Sequence, residues 1–417
     1  MALAMGTAIV LMSQVSFSSD ALPVGHGSHK QASSKTNQLD PLVLREQLKS
    51  EIPLTAAALN HYNGNCSDRD PEPYVSDALG KLLTMFKHQV RDLVAANLRI
   101  NPDQDVSTLE QAVTNQLAAM GLVTGQPEWN SGSTEPGCRF PYGAIYKIAA
   151  SQPSQNIIVV TTSIGVVCGD DTSLYIFERA AGTWRHVFTR EANAYDQVSG
   201  AQGSFRYAVS PRDASGKYFV VSADVSPWCT SNWQMLRYRA ERPGSSPDNP
   251  VPIFAGEGTI FLEDEPFSIS ATAVSFRLEY AAEFRNDAGR QVRTHVMNYR
   301  VTKDQAIRVG PIALAPEDFV DEWITLPWDE AAKWSSKSNL DSVKSWHESL
   351  QPVGKYASLG EISFIRECSS RKWQVGMNVE NPEDFRGKLP EELYFTVAER
   401  DGEYCLERID TNDPSCQ

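Results

Sequence analysis

The sequence predicts a mainly β fold preceded by a helical N-terminal part, because the residue pattern of the 417-residue chain changes from helical to strand-like after Gly137. From Tyr74 to Leu98 the apolar residues recur three and four positions apart, which is the spacing of one face of an α-helix. After Gly137 the chain carries short β-branched and aromatic runs broken by Gly, Pro, Asn and Asp. That texture is typical of an all-β region.

The N-terminus resembles a secretory signal followed by a tether. Residues 2–12 are an apolar run too short to span a bilayer, and small and polar residues follow up to Ser19. We therefore expect a signal peptide over 1–19, a disordered tether over 20–40, and a secreted or periplasmic protein with no membrane span after cleavage. The first positive residue is Lys30, and an ordinary N-terminal tail is the alternative.

A helical region is predicted over residues 41–125. Besides the long helix, a second one is expected to begin at Ser107, since Glu110 follows it at the spacing of a capping box. Gly121 is expected to end this helix, because glycine readily takes the left-handed conformation found just after helices.

Two β-rich segments follow, over 138–312 and 355–412, and the second is expected to pack on the first. Between them, residues 313–350 show helical spacing and hold four of the nine tryptophans. Large aromatic side chains are mostly buried, so this insertion is expected to lay its rings on the β part.

Two elements recur within the β-rich part. Runs that end in Cys168, Cys229 and Cys368 are each followed by a polar loop and a further strand. The second element is a strand with Leu and Tyr, followed by Glu, Arg and a Gly turn. It occurs at Leu174-Tyr175, at Leu236 with Tyr238, at Leu393-Tyr394 and, in looser form, at Leu278 with Tyr280.

Repeated hairpins of this kind stack as propeller blades or pair as a sandwich. Their texture is similar to that of β-propeller proteins in general. The expected fold is therefore an irregular few-bladed β-propeller-like assembly or a large β-sandwich. That resemblance rests on no diagnostic dipeptide and implies no function.

Scattered cysteines without a C-x-x-C pair favour structural disulfides in an oxidising compartment over a zinc or redox site. Cys66, in a loop-like segment apart from the β-rich part, is the expected unpaired thiol. The connectivity of the other cysteines stays open. The disulfide candidates are Cys138, Cys168, Cys229, Cys368, Cys405 and Cys416.

Several classes of function are disfavoured. A net charge of −14 without a basic patch repels nucleic acid. No nucleophile elbow, acylation motif or phosphate-binding loop occurs. His26 and His29 lie in the predicted tether without nearby carboxylate or thiolate ligands, so neither a metal nor a cofactor is expected.

The tryptophans beside the cysteine loops are the strongest binding signal. Trp228, Trp233 and Trp373 flank those loops, and aromatic rings beside polar loops suit sugar or peptide ligands. Asp170 and Asp171 lie in one of the polar loops and complete the predicted ligand-binding set. The alternative is that these tryptophans are packed in the core.

The sequence therefore favours an exported non-enzymatic binding or assembly module with a glycan or protein ligand. The alternative is a secreted hydrolase acting on carbohydrate or peptide, which would need two carboxylates across a cleft. Candidate carboxylates are Asp170-Asp171, Glu263-Asp264-Glu265, and Asp318 with Asp321. A third hypothesis is a subunit of a larger complex that docks through its helical part.

Overall fold

The chain folds from Asp40 onward into one compact unit. Several predicted features lie outside the described residues, namely the signal peptide and tether, Trp228, and the cysteines at 66, 138, 168 and 229. The computed structural model describes residues 40–60, 77–122, 145–166, 169–192, 205–225, 233–261, 267–283, 292–303, 305–353, 358–414 and 416.

Three helices form the N-terminal part: α1 (Pro41–Asn60), α2 (Asp77–Ile100) and α3 (Val106–Ala119). The long amphipathic helix is confirmed as α2, whose apolar stripe includes Phe86 and Leu93 in the core. In the described part of the chain, no helix is both long and apolar enough to cross a bilayer.

The start of α3 differs from the prediction. Asp105 is the N-cap, and its carboxylate accepts a hydrogen bond from the amide of Thr108 at 2.8 Å. The capping box predicted at Ser107 is therefore wrong, because Ser107 already lies inside the helix that Asp105 caps. Glu110 instead accepts a hydrogen bond from the amide of Ala150 and so ties α3 to the first strand. Gly121 follows the helix with a φ of +75°, as expected.

Sixteen strands among the described residues form four successive antiparallel meanders of four strands each. The second and third meanders are joined into one sheet through the pairing of Ile260 with Ala282. The strands are β1 (Ile145–Ser154), β2 (Ile157–Val166), β3 (Gly169–Ala180), β4 (Thr183–Arg190), β5 (Arg206–Val209), β6 (Val220–Val225), β7 (Trp233–Arg242), β8 (Val251–Phe261), β9 (Phe267–Ala271), β10 (Ser275–Glu283), β11 (Val292–Val301), β12 (Ala306–Val309), β13 (Ser358–Ser369), β14 (Lys372–Glu380), β15 (Glu392–Arg400) and β16 (Glu403–Asp410).

The first meander is buried on both faces, since successive side chains of a strand point to opposite sides. On β3, Tyr175 and Phe177 pack against the helices. Leu174 and Ile176, on the alternate positions, pack against Val220 of the second meander. A strand buried on both faces carries a continuous apolar run, which explains the sequence from 174 to 177.

The second and third meanders also pack face to face. Phe219 and Phe254 meet Phe276 at ring-centroid distances of 6.3 and 6.0 Å, and Phe254 meets Tyr299 at 4.4 Å. A mainly β fold with a helical N-terminal part is thus confirmed. Consecutive meanders packed face to face are the arrangement of propeller blades, which fits the propeller-like alternative better than one two-sheet sandwich.

The Leu-Tyr element marks the third strand in three meanders, namely β3, β7 and β15, whereas its looser copy lies on β10, a second strand. Two-residue turns with positive φ follow β3 and β15, at Ala181-Gly182 and Asp401-Gly402. These are the turns that match the twist of a tight hairpin.

The cysteine element repeats less well than predicted. Cys168 and Cys229 fall in sequence between the second and third strands of their meanders. Cys368 lies near the end of β13, the first strand of the fourth meander. The predicted equivalence of Cys368 with the other two is therefore wrong, because it was based on spacing to the next strand and not on strand order.

Cys368 forms a disulfide with Cys416, one of its predicted partners. Cys405 carries a free thiol, half-buried on β16, so the prediction that it is paired is wrong. Cys405 lies opposite Ala398 of β15, which leaves the sulfur no partner across the hairpin.

The 313–350 insertion contains α4 (Pro316–Thr325), α5 (Trp328–Ala331) and α6 (Leu340–Ser349). Trp323 is fully buried in the core of the fourth meander, as expected of an insertion that lays its aromatic rings on the β part. On its other side, Glu322 of α4 contacts Arg293, His295 and Arg308 of the third meander. Helix α4 thus joins the third meander to the fourth.

Candidate functional site

Strand β7 has one core face and one outer face. Leu236, Tyr238 and Ala240 point into the core between the second and third meanders. The alternate positions point outward and are half-buried or exposed, and Met235 is 47% exposed. These outward side chains are Trp233, Met235, Arg237 and Arg239.

An arginine patch, defined as Arg190, Asp224, Arg237 and Arg239, lies where the first meander meets the second. Asp224 of β6 contacts Arg237 through one carboxylate oxygen, and Arg190 of β4 lies 3.8 Å from the other. Arg239 stands one alternate position further along β7, opposite Ser222 of β6. The patch therefore draws side chains from both meanders.

Positive charge is concentrated at this patch. Burial and the nearby charge of Arg239 lower the pKa of Arg190, and the carboxylates of Asp224 and Glu241 only partly oppose this effect. An arginine remains protonated in proteins despite such a shift. The guanidinium groups therefore stay charged, and their repulsion is retained in the folded protein.

Arg239 differs from its neighbours in the patch. Within the described ranges, its half-buried side chain makes no hydrogen bond or ion pair. Asp224 is already engaged by Arg237 and Arg190. A half-buried guanidinium presents up to five N–H donors, so Arg239 is suited to donate hydrogen bonds to a ligand oxygen.

Of the predicted ligand-binding residues, Trp233 lies on this outer face. It is half-buried at the start of β7, and its ring meets Phe261 of β8 edge-on at 4.9 Å. Exposed Thr259 of β8 stands opposite Met235. An aromatic side chain next to an exposed position of β8 therefore continues the strand face that carries the arginines.

Asp170 and Asp171 do not form the exposed polar loop that was predicted. Both belong to β3, and alternation sends them to opposite faces of the first meander. Asp171 pairs with Lys87 of α2 at 3.0 Å with no solvent exposure of either side chain. Asp170 is buried on the face toward the second meander and accepts a hydrogen bond from Thr172. The ligand-binding assignment of Asp171 is corrected accordingly, because Lys87 and the helix cover it.

Trp373 belongs to a different sheet. It lies on β14, and its ring meets Tyr404 of β16 at 5.5 Å, so its described ring contact stays within the fourth meander. The structure thus separates Trp373 from Trp233, which the cysteine repeat had placed at equivalent positions.

Two of the carboxylates considered for hydrolysis, Asp171 and Asp321, are engaged in buried ion pairs. Asp321 contacts Arg293 at 2.7 Å. Burial alone would raise the pKa of Glu322. The charges of His295, Arg308 and Arg293 nevertheless hold that pKa well below its usual range. The run 263–265 lies outside the described residues. Within the described ranges, no three His, Cys, Asp or Glu side chains converge as a metal site.

The sequence analysis missed the arginine patch. The available signal was the alternation Trp233-x-Met235-x-Arg237-x-Arg239, which sets polar and aromatic side chains against core residues on one strand. Arg190 and Asp224 carried no such signal, because their approach depends on how two meanders pack.

Fold and site together define a mainly β protein of stacked four-stranded meanders with an aromatic and arginine-bearing strand face. No protein-family model matches the chain, and no curated protein matches it. Two solved structures of α-L-arabinofuranosidases from Fusarium graminearum show a low similarity. One is Arb93A with an iminosugar inhibitor, at 11% identity and a TM-score of 0.25, with 64% of this chain and 63% of that chain covered.

The other is the GH93 α-L-arabinofuranosidase with arabinobiose, at 10% identity and a TM-score of 0.26, with 63% of this chain and 66% of that chain covered. This chain therefore spans less than two thirds of the length of either enzyme. TM-scores of this size do not define a common fold, and no activity follows from them.

Proposed function

We propose that this chain is an exported, non-enzymatic binding module that holds a glycan on the outer face of β7. The observation that carries the proposal is the alignment of Trp233, Met235 and two arginines on one strand face next to exposed positions of β8. Sugar rings stack on aromatic side chains while their hydroxyls accept hydrogen bonds from guanidinium groups. Export is supported by the signal-like N-terminus and by the Cys368–Cys416 disulfide.

A binding role is favoured over hydrolysis by the state of the described carboxylates. A glycosidase needs one carboxyl group to give up a proton and a second to attack or activate water. Asp171, Asp321 and Glu322 each contact a cation, and all three side chains are buried. Carboxylates in that setting hold elements together, and solvent and substrate cannot reach them.

A glycan array with the mature protein tests the proposal, followed by the double substitution W233A/M235A. The wild type is expected to bind at least one glycan, and the variant to lose about tenfold or more, since a buried aromatic contact contributes over 1 kcal/mol. Val274→Ala is the matched control, because Val274 is 55% exposed in a turn of the third meander. Binding that is equal in wild type and variant would exclude the β7 face.

A further inference from the structure

The arginine patch bears on which class of glycan the β7 face would bind. Arg190 and Arg237 both contact Asp224 at the junction of two meanders, and Arg239 lies on the same face of β7 two residues from Arg237, in a protein whose overall charge is −14. Like charges held close together in a partly buried setting repel each other strongly. Such a group of cations is stabilised when an anion binds between them.

The carboxylates nearby do not neutralise the charge of Arg239. Asp224 lies between Arg237 and Arg190, and Glu257 stands opposite Arg237 on β8, two residue pairs away from the pair that Arg239 forms with Ala255. Glu241 lies near Arg190 but makes no ion pair within 4 Å of Arg239 in the described part of the chain. Arg239, together with the partly exposed guanidinium of Arg190, is thus the group on which an external anion would be bound.

Resting on the proposed function, we infer that the ligand is an acidic saccharide whose carboxylate or sulfate group binds Arg239 and Arg190. A guanidinium presents paired N–H donors that match two oxygens of a carboxylate or sulfate. The hydroxyl groups of a neutral sugar cannot neutralise the positive charge of these two arginines. The anionic group is therefore the feature that selects the ligand.

The spacing along β7 also sets a minimum length. Trp233 and Arg239 are six residues apart on one strand, which corresponds to about 20 Å. A ligand that touches both must be an oligosaccharide of several sugar units. A monosaccharide acid could occupy the arginine end alone and would bind more weakly.

Calorimetric titration of the full-length mature protein tests the inference with three oligosaccharides of equal length. They are an oligouronate, the same oligomer with its carboxyl groups reduced to alcohols, and a sulfated neutral oligomer. The oligouronate or the sulfated oligomer is expected to bind at least tenfold more tightly than the reduced one. Whichever of the two binds identifies the anionic group.

Arg239→Gln is expected to weaken binding of the acidic oligomer about tenfold while leaving binding of the reduced oligomer unchanged. Arg300→Gln removes the same charge from an exposed position on β11 and is expected to have no effect. Circular dichroism of both variants checks that each is folded. Equal binding of acidic and reduced oligomers, with Arg239→Gln neutral, would overturn the inference but leave the proposed function standing. No binding of any saccharide by the wild type would overturn both.

Discussion

Lys87 Nζ lies 3.0 Å from Asp171 Oδ2, and neither side chain has any solvent exposure. The pair joins the middle of α2 to the start of β3, and Lys87 also donates a hydrogen bond to the carbonyl of Ala192 at 3.0 Å. A buried ion pair with these contacts holds one geometry, so it fixes how the helical part sits on the first meander.

Removing one partner of this pair should be strongly destabilising. Lys87→Met leaves Asp171 charged and uncompensated in the core, at an expected cost of about 3–5 kcal/mol in the free energy of unfolding. The double variant K87M/D171V should recover much of the loss because both charges are gone. Urea denaturation measures the difference, with exposed Lys81→Met as a control expected within about 0.5 kcal/mol of wild type. A small effect of Lys87→Met would mean that Asp171 is not held against Lys87 in the core.

Acid should weaken the fold partly through His186. Burial and the charge of Arg91 lower the pKa of this residue from 6.5 to about 4. The unfolded chain therefore takes up a proton at a higher pH than the folded one, so stability is retained above pH 6.5 and lost as pH falls toward 4. Between pH 7.5 and 5 the loss from this residue is about 2 kcal/mol.

His186→Phe keeps an aromatic ring near Tyr175 and Phe177 and removes the titrating group. Its free energy of unfolding should fall less than that of the wild type over the same pH interval. Urea denaturation at both pH values gives the comparison. Parallel pH dependences for the two proteins would show that His186 titrates normally.

The disulfide should stabilise the fourth meander, whereas the free thiol should not. Cys416→Ser opens a loop with a sequence separation of 48 residues and is expected to lower the free energy of unfolding by about 2–4 kcal/mol. Cys405→Ala, on the same sheet, should cost about 1 kcal/mol or less. Thermal unfolding compares the two variants. Equal effects, or a cross-linked peptide containing Cys405, would contradict the pairing.

The turn between β3 and β4 offers a test of the hairpin geometry. Both central residues have positive φ, 50° at Ala181 and 80° at Gly182. Gly182→Ala should cost about 1–2 kcal/mol, since a side chain disfavours that conformation. Ala181→Asn should be neutral or stabilising by about 0.5 kcal/mol, because asparagine tolerates it. Denaturant unfolding measures the stability of both variants. A destabilised Ala181→Asn with an unaffected Gly182→Ala would exclude this turn type.

The parts of the fold that could be predicted from sequence are those with local causes. The α2 stripe, the turn at Gly121 and the Leu-Tyr strands each follow from spacing within a few residues. The cap of α3 was misassigned because Ser107 and Asp105 are both capping residue types. Only the path of the backbone decides between them.

The site depends on longer-range relationships. Asp170 and Asp171 are adjacent in sequence, yet one faces the second meander and the other faces α2. These opposite orientations can be predicted from the sequence only if both residues are known to belong to β3, which begins at Gly169. Trp233 could be predicted because it flanks one of the cysteine loops in the sequence, whereas Arg190 meets Asp224 only through packing of two meanders.

The β7 face is proposed to bind a glycan without cleaving it. The most direct measurement incubates the mature protein with the saccharide that it binds most tightly and follows bound fraction and reducing ends in the same samples. We predict saturable binding that W233A/M235A weakens about tenfold or more, with no reducing ends above a protein-free control. Release of reducing ends by the wild type, lost in Asp224→Asn, would contradict the claim and place a hydrolase at the arginine patch.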